Sequence, residues 1–445
     1  MRGAAVRGAR STARGFARRL AAVKRALAPV LLVMLLGGTT AARAETGVAV
    51  PAPQAETSVA VPAPQAAFTT PPSAYRISVL TMGPGEDFVT LFGHDALLVE
   101  RIGFVPLVYN FGMYTEAAIA PHHVLGGTLR YYLEASTLAR TLPVYTSQDR
   151  EVVRQVLALE PAVAEQLAAA LSVNTLPENA TYAYDFARDN CTTRVRNAID
   201  RALDGGLRRA LAGTSKFTYR DHALRFTADD WPLYFLFDLG LGARVDRPLS
   251  AWDDAYLPDR LMASLRTVRL TGTDGERPLV ASEGVLVQAK RAPVRAVPPV
   301  RAPYHAVAGL LLGAGLWAAG RRRARGAQAV FGLASALVGL VVGLLGVWVL
   351  LLLATKVHVA THDNYNVLVC PPLALLLVVP GVKVALGRAT GPRRLARYAL
   401  VCGVVSALGF LLATVMGQQS WRVALLCLPL LSGVWLGARA ALRAA

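Results

Sequence analysis

The sequence predicts two unlike parts: an α+β exported domain followed by an all-α five-helix transmembrane bundle. Three observations carry this. A long basic stretch and an apolar run open the chain, strand-like and helix-like patterns alternate between residues 73 and 290, and five apolar stretches come after residue 304. Composition agrees with a divided protein. Hydrophobic residues make up 54% and charged ones 17%, and the apolar excess lies after Tyr304. A net charge of +18 would point to nucleic acid in a soluble chain. Here eight Arg/Lys and no acid fall within residues 1–25, and further basic clusters sit between apolar runs. That is the positive-inside pattern of a membrane protein, so nucleic acid is discarded as a partner.

Taken in order, residues 1–25 are an Arg-rich n-region, 26–40 an apolar h-region, and Ala42-Arg43-Ala44 a small-residue cleavage site. Residues 1–44 therefore read as a signal peptide; cleaved or kept as an anchor, it exports the domain behind it. Residues 45–72 form a Pro/Ala-rich tether, with an imperfect tandem repeat over 46–67 that cannot build a core. The candidate catalytic domain spans 73–290. Strands are expected at 75–80, 96–101, 106–112, 129–133 and 140–145. A helix is expected from Ser147, with Val152, Val153, Val156, Leu157 and Leu159 on its face, and another from Pro161 to Leu171. A polar and aromatic region runs to about Arg266, and late strands are expected at 279–281 and 285–288. Residues 291–303 are a Pro/Arg-rich linker.

Residues 304–445 hold the bundle, with spans near 304–320, 328–354, 367–386, 398–417 and 423–438. Each is close to the ~17–25 residues a membrane helix needs. The stretches 321–325 and 388–397 and the tail with Arg439 and Arg443 are basic, whereas 355–366 and 418–422 are not. Five helices thus begin outside and end inside, in agreement with an exported first domain.

Of four cysteines, Cys370, Cys402 and Cys427 lie in or beside apolar spans. Cys191 is the one in the water-soluble part, so no disulfide can form there. It starts a helix: Asp189 and Asn190 are good capping residues, Val195 and Ile199 make an apolar face, and Gly205-Gly206 stop the run. A thiol at that position faces unpaired backbone N–H groups and the positive end of the dipole. This predicts a lowered pKa and a ready oxyanion site, unless Cys191 is a buried structural residue. Among seven histidines, His94 is the one preceded by Phe-Gly at a strand start. His122 and His123 are adjacent, His222 and His305 lack a local motif, and His358 and His362 lie in an outward loop, where no HExxH supports a metal. A histidine base can activate a cysteine whatever their order. The order His94 then Cys191 is that of a circularly permuted papain-like fold; a structural strand-edge histidine is the plainer alternative.

The runs Phe92-Gly-His94, Tyr109-Asn-Phe-Gly112, Pro177 to Phe186 and Asp189-Asn-Cys-Thr-Thr-Arg194 resemble the Lnb-type lipoprotein N-acyltransferase family. The likeness extends to Tyr256-Leu-Pro-Asp259 and to Thr361-His-Asp-Asn-Tyr-Asn366. The Asn-Cys with an upstream histidine is also similar to lecithin:retinol acyltransferase and permuted NlpC/P60 enzymes. What the resemblance implies is acyl transfer at the outer face of the bacterial inner membrane. Cys191, deprotonated by His94, would take an acyl chain from a phospholipid donor and pass it to the α-amine of a diacylglyceryl-cysteine lipoprotein. Asn110 or Tyr109 would orient His94. Asn190, Arg194, His362 and Asn366 are further orienting or substrate-contact candidates, and no cofactor or metal is expected. Two other classes stay open: a periplasmic cysteine amidase or peptidase with a membrane anchor, and a non-catalytic membrane scaffold.

Overall fold

The computed structural model describes residues 74–115, 129–272, 275–355 and 359–444. The expected signal peptide and tether, His122, His123 and His358 lie outside the described residues. In chain order come β1 (Tyr75–Met82), β2 (His94–Arg101), β3 (Leu107–Met113), β4 (Arg130–Thr137), α1 (Leu138–Ser147), β5 (Val152–Leu157) and α2 (Pro161–Asn174). Next are β6 (Thr181–Ala183), α3 (Cys191–Ala202), α4 (Tyr219–Phe226), α5 (Trp231–Gly240), α6 (Pro258–Thr267), the ribbon β7 (Arg269–Gly272) with β8 (Gly275–Pro278), and β9 (Val280–Val287). The membrane helices are α7 (Ala302–Arg321), α8 (Arg325–Ala354), α9 (Thr390–Val415) and α10 (Trp421–Ala444), with a broken third span between α8 and α9. Two compact units result, one of 74–115, 130–210 and 256–291, the other of 211–255 and 292–444.

The first unit is a seven-stranded antiparallel sheet in the order β6-β4-β3-β2-β1-β5-β9. Its central strands are apolar on both faces. Leu80, Met82, Ala96, Leu98, Val108, Val152 and Val287 form one cluster, against which Leu138, Leu142 and Tyr145 of α1 pack. Residues of the other parity, Ile77, Val79, Leu97 and Val99, are also buried and by alternation face the opposite side. Helix α2 packs on β1, and α3 on β2 and β3.

Two expected elements exchange character here. The stretch 140–145, expected as a strand, lies inside α1, and the helix expected from Ser147 is β5 instead. Thr137 caps α1 by accepting the Arg140 N–H at 3.3 Å. Leu138, Leu142 and Tyr145 then recur at helical spacing toward the sheet. β5 pairs with β1 on one side and β9 on the other. A strand buried in this way reads as a continuous apolar run, which periodicity alone does not separate from a helix. The two late strands are one, β9.

In the second unit five helical segments are long and apolar enough to cross a membrane, so the chain is a multi-pass membrane protein. The third, Asn366–Ala385, is not one helix: Asn366–Val369, a 3-10 turn over Pro372–Leu377 and Val378–Ala385 succeed one another. Pro371 and Pro372 have no N–H to continue the ladder. Residues 211–255 are organised around a buried charge cluster. Arg220 bonds Asp246 (2.6 and 3.0 Å) and Asp238, and Arg422 of α10 binds both Asp238 oxygens at 2.7 Å. The Asn364 and Asn366 amides donate to the Leu239 carbonyl at 2.9 Å. They satisfy carbonyls that the end of α5 leaves open.

Candidate active site

The sequence places Cys191 by capping. Asn190 Oδ1 accepts the Thr193 N–H and the Thr193 hydroxyl accepts the Asn190 N–H, both at 2.8 Å, closing a reciprocal box at the start of α3. The Asn190 amide nitrogen donates to the Phe186 and Tyr256 carbonyls. Every polar atom of the Asn190 side chain is thereby spent on holding the turn. Val195 and Ile199 are fully buried and press α3 against the sheet.

The main-chain amides of Asp95, Thr192 and Cys191 itself favour the thiolate, and the Thr192 hydroxyl stands 3.9 Å from the sulfur. The Asp95 amide belongs to the residue after His94, so the thiol sits beside the first residues of β2. Gly112 makes this approach possible. It lies at a register shift in β3 with φ +89°, and a Cβ there would stand 3.3 Å from the Cys191 Cβ. Gly93, with φ +84°, feeds the chain into His94 where a Cβ would meet the Met82 carbonyl at 2.7 Å. Both are backbone conformations that L side chains resist.

His94 Nε2 lies 3.3 Å from Asn110 Oδ1. An amide oxygen can only accept, so Nε2 carries the proton in this pairing and Nδ1 keeps its lone pair. The register explains the contact: Ala96, two residues on from His94, is directly opposite Asn110, which puts both side chains on one face. The Asn110 nitrogen in turn donates to Ser136 Oγ at 3.3 Å, and Ser136 contacts Thr141 of α1 at 2.9 Å. Tyr109 points elsewhere, to Ser172 of α2 at 3.3 Å. Of the two residues expected to orient His94, the one in contact with it is Asn110. Among the described residues the imidazole bonds Asn110 and does not bond the thiol; such contacts often tighten only with substrate bound.

Electrostatics here run against the sequence expectation. Burial pushes the Cys191 thiol up, and the surrounding amides and Thr192 offset only part of that. Burial, with the nearby Arg150 charge, lowers His94 to about 4, against opposing effects of Asp95 and Asn110. The resting combination is a neutral thiol and a neutral imidazole, not an ion pair. The helix start was expected to lower the thiol; desolvation outweighs it.

Sequence reasoning passed over three neighbours. Asp95 is fully buried, bonded by Thr81 at 2.8 Å, and raised to about 7 chiefly by burial. Tyr182 is 7% exposed, and its hydroxyl lacks a hydrogen-bond partner among the described residues. That hydroxyl lies 3.8 Å from the same Gly112 Cβ position that Cys191 adjoins. Arg150 is 4% exposed, donates to the Gly83 carbonyl at 2.8 Å, and has no carboxylate partner among the described residues. A buried arginine without an acid and a buried tyrosine without a partner were the signals, and neither is visible before burial is known.

The remaining candidates are hydrogen-bonded within the fold. Arg194 grips Asp189 with two bonds of 2.5 and 2.7 Å and lies 3.8 Å over the Tyr182 ring. His362 Nε2 donates to the Thr355 carbonyl at 2.7 Å. Asn366 holds α5, and both residues are bonded within the second unit. Family models described as the Lnb N-terminal periplasmic domain and the Lnb transmembrane domain match residues 64–224 and 302–441. No curated protein and no solved structure matches the chain.

Proposed function

Because the chain belongs to the Lnb-type family, we propose that it is a membrane-bound acyltransferase that carries a phospholipid acyl chain on Cys191 to the N-terminal amine of a diacylglyceryl-cysteine lipoprotein. The observation that supports this most is a cysteine at the capped start of α3, seated against the glycine bulge of β3 at Gly112, in a chain with five membrane spans. In this reading the exported domain is a circularly permuted papain-like enzyme at the outer face of the inner membrane.

Neutral His94 takes the thiol proton through Nδ1 as sulfur attacks the ester carbonyl, with Asn110 holding Nε2. The thiol needs this base because burial disfavours its free ionisation. The tetrahedral oxyanion is met by the amides at the start of α3 and by the Tyr182 hydroxyl, which burial keeps protonated. The C–O bond then breaks, and the His94 imidazolium protonates the departing lysophospholipid oxygen. In the second half the lipoprotein amine attacks the thioester and a proton passes to His94. The amide forms, the C–S bond breaks, and the proton returns to the thiolate. Arg150 supplies a fixed positive charge that favours the thiolate and an anionic donor.

The test is expression of the wild-type chain and Cys191→Ala in a strain whose own apolipoprotein N-acyltransferase can be depleted, with mass spectrometry of a lipoprotein N-terminus as the readout. The wild-type chain is expected to restore the third acyl chain and Cys191→Ala to leave the N-terminus diacylated. A diacylated product with the exported wild-type chain sinks the proposal. A triacylated product with Cys191→Ala removes Cys191 from it.

A further inference from the structure

The basic ends of α7 and α10 form a cleft that the acyl-transfer reading does not use. Gly320 of α7 lies against Gly437 of α10, where a Cβ on Gly320 would stand 2.5–2.7 Å from Gly437 backbone atoms. With the backbones touching there, Arg321 and Arg323 from one side and Arg439 and Arg443 from the other line one cleft of about 490 Å³. Trp317 and Leu436, 40% and 41% exposed, form its apolar wall. Arg321 stacks on Trp317 and Arg439 on Trp435.

Among the described residues none of these four guanidinium groups makes a hydrogen bond or an ion pair with the protein. Helix capping does not use them at the end of α7, since the Gln328 amide donates to the Gly320 and Arg322 carbonyls at 2.9 and 2.7 Å. Nor does the sequence offer a counter-charge. From Gly284 to Ala445 the one acidic residue is Asp363, which is bonded to Arg244 at 2.6 Å. The positive-inside rule explains the sign of these loops and their cytoplasmic side. It does not explain why two helix ends cross at glycine and bring four cations to one cleft with an apolar wall. Like charges so placed repel unless an anion enters.

We infer that this cleft binds the phosphate of an anionic phospholipid, with the arginine forks on the phosphate oxygens and an acyl chain along Trp317 and Leu436. A free phosphate would share the arginines but not the apolar wall.

Full-length protein, delipidated in a mild detergent, is titrated with short-chain phosphatidylglycerol, with phosphatidylcholine and with sodium phosphate, and binding is read by native mass spectrometry. Phosphatidylglycerol is expected to bind well ahead of the other two. Arg321→Gln with Arg439→Gln should weaken it about 25-fold, at about fivefold per arginine. Arg321→Lys with Arg439→Lys keeps charge and topology but loses the forks, and should weaken it several-fold. Arg393→Gln with Arg394→Gln removes the same charge from the basic start of α9 and should change binding less than twofold. The inference is overturned if phosphatidylcholine binds equally, if phosphate alone competes as well as the lipid, or if the Arg393/Arg394 variant loses as much as the cleft variants. It is also overturned if the cleft variants bind like the wild type.

Discussion

Replacing Gly112 with alanine should damage the site through two separable effects. The first is backbone strain: φ is +89° at Gly112, which costs an L residue about 1–2 kcal/mol. The second is contact: the new Cβ would stand 3.3 Å from the Cys191 Cβ and 3.8 Å from the Tyr182 hydroxyl, so a neighbour must give by a few tenths of an ångström. If Cys191 is that neighbour, catalysis should fall on the order of tenfold, since a displacement of about 1 Å costs about 10²-fold. Gly103 is the natural control, with φ +81° and nothing within 4 Å of its Cβ position. Both Gly112→Ala and Gly103→Ala should lower the melting temperature, by about 2–8 °C if each costs 1–2 kcal/mol. Only Gly112→Ala should also slow alkylation of Cys191 by iodoacetamide and acyl transfer. Equal reaction rates for the two variants would refute the claim that the β3 bulge seats the nucleophile.

The same geometry gives three further outcomes. Tyr182→Phe should lower acyl transfer about 10²–10³-fold while leaving Cys191 alkylation, which forms no oxyanion, at the wild-type rate; an equal loss in both assays would assign Tyr182 to the thiolate instead. Asp95 has its folded pKa raised from 3.8 to about 7, so the folded state holds the proton more tightly and the stability this gives at low pH is lost as pH rises through about 7. Asp95→Asn should therefore melt nearly like the wild type near pH 4 and progressively higher up to pH 8, by on the order of 4 kcal/mol; a parallel shift at both pH values would contradict that. Asp238→Ala strands Arg422, whose two carboxylate bonds both go to it, while Arg220 keeps Asp246, and should destabilise the second unit by about 3–5 kcal/mol, seen as a lower melting temperature in detergent.

Much of the site was legible because it rests on local rules. The cap at Asn190 and the apolar spacing of Val195 and Ile199 located the start of α3, and Phe-Gly before an apolar run located His94 at the start of β2. The five spans emerged from length and hydropathy. What failed depended on partners far along the chain. β5 could not be told from a helix until β1 and β9 were known to flank it. The thiol's ionisation was misjudged because the helix start is a local feature, whereas the burial that opposes it comes from the whole unit. Asp95, Arg150 and Tyr182 carry ordinary residue types in ordinary patterns; what marks them is burial without full pairing. Likewise, Asn364 and Asn366 read as an outward polar loop, and only packing reveals that they end α5.

The central claim is that Cys191 carries the acyl group. Full-length protein incubated with a phospholipid and no amine acceptor, then quenched in acid, should gain the mass of one acyl chain in place of a hydrogen. The adduct should map to the peptide containing Cys191 and be removed by neutral hydroxylamine. Wild-type protein that transfers acyl chains to a lipoprotein amine yet never shows this thioester, or a Cys191→Ala chain that still transfers, would contradict the account.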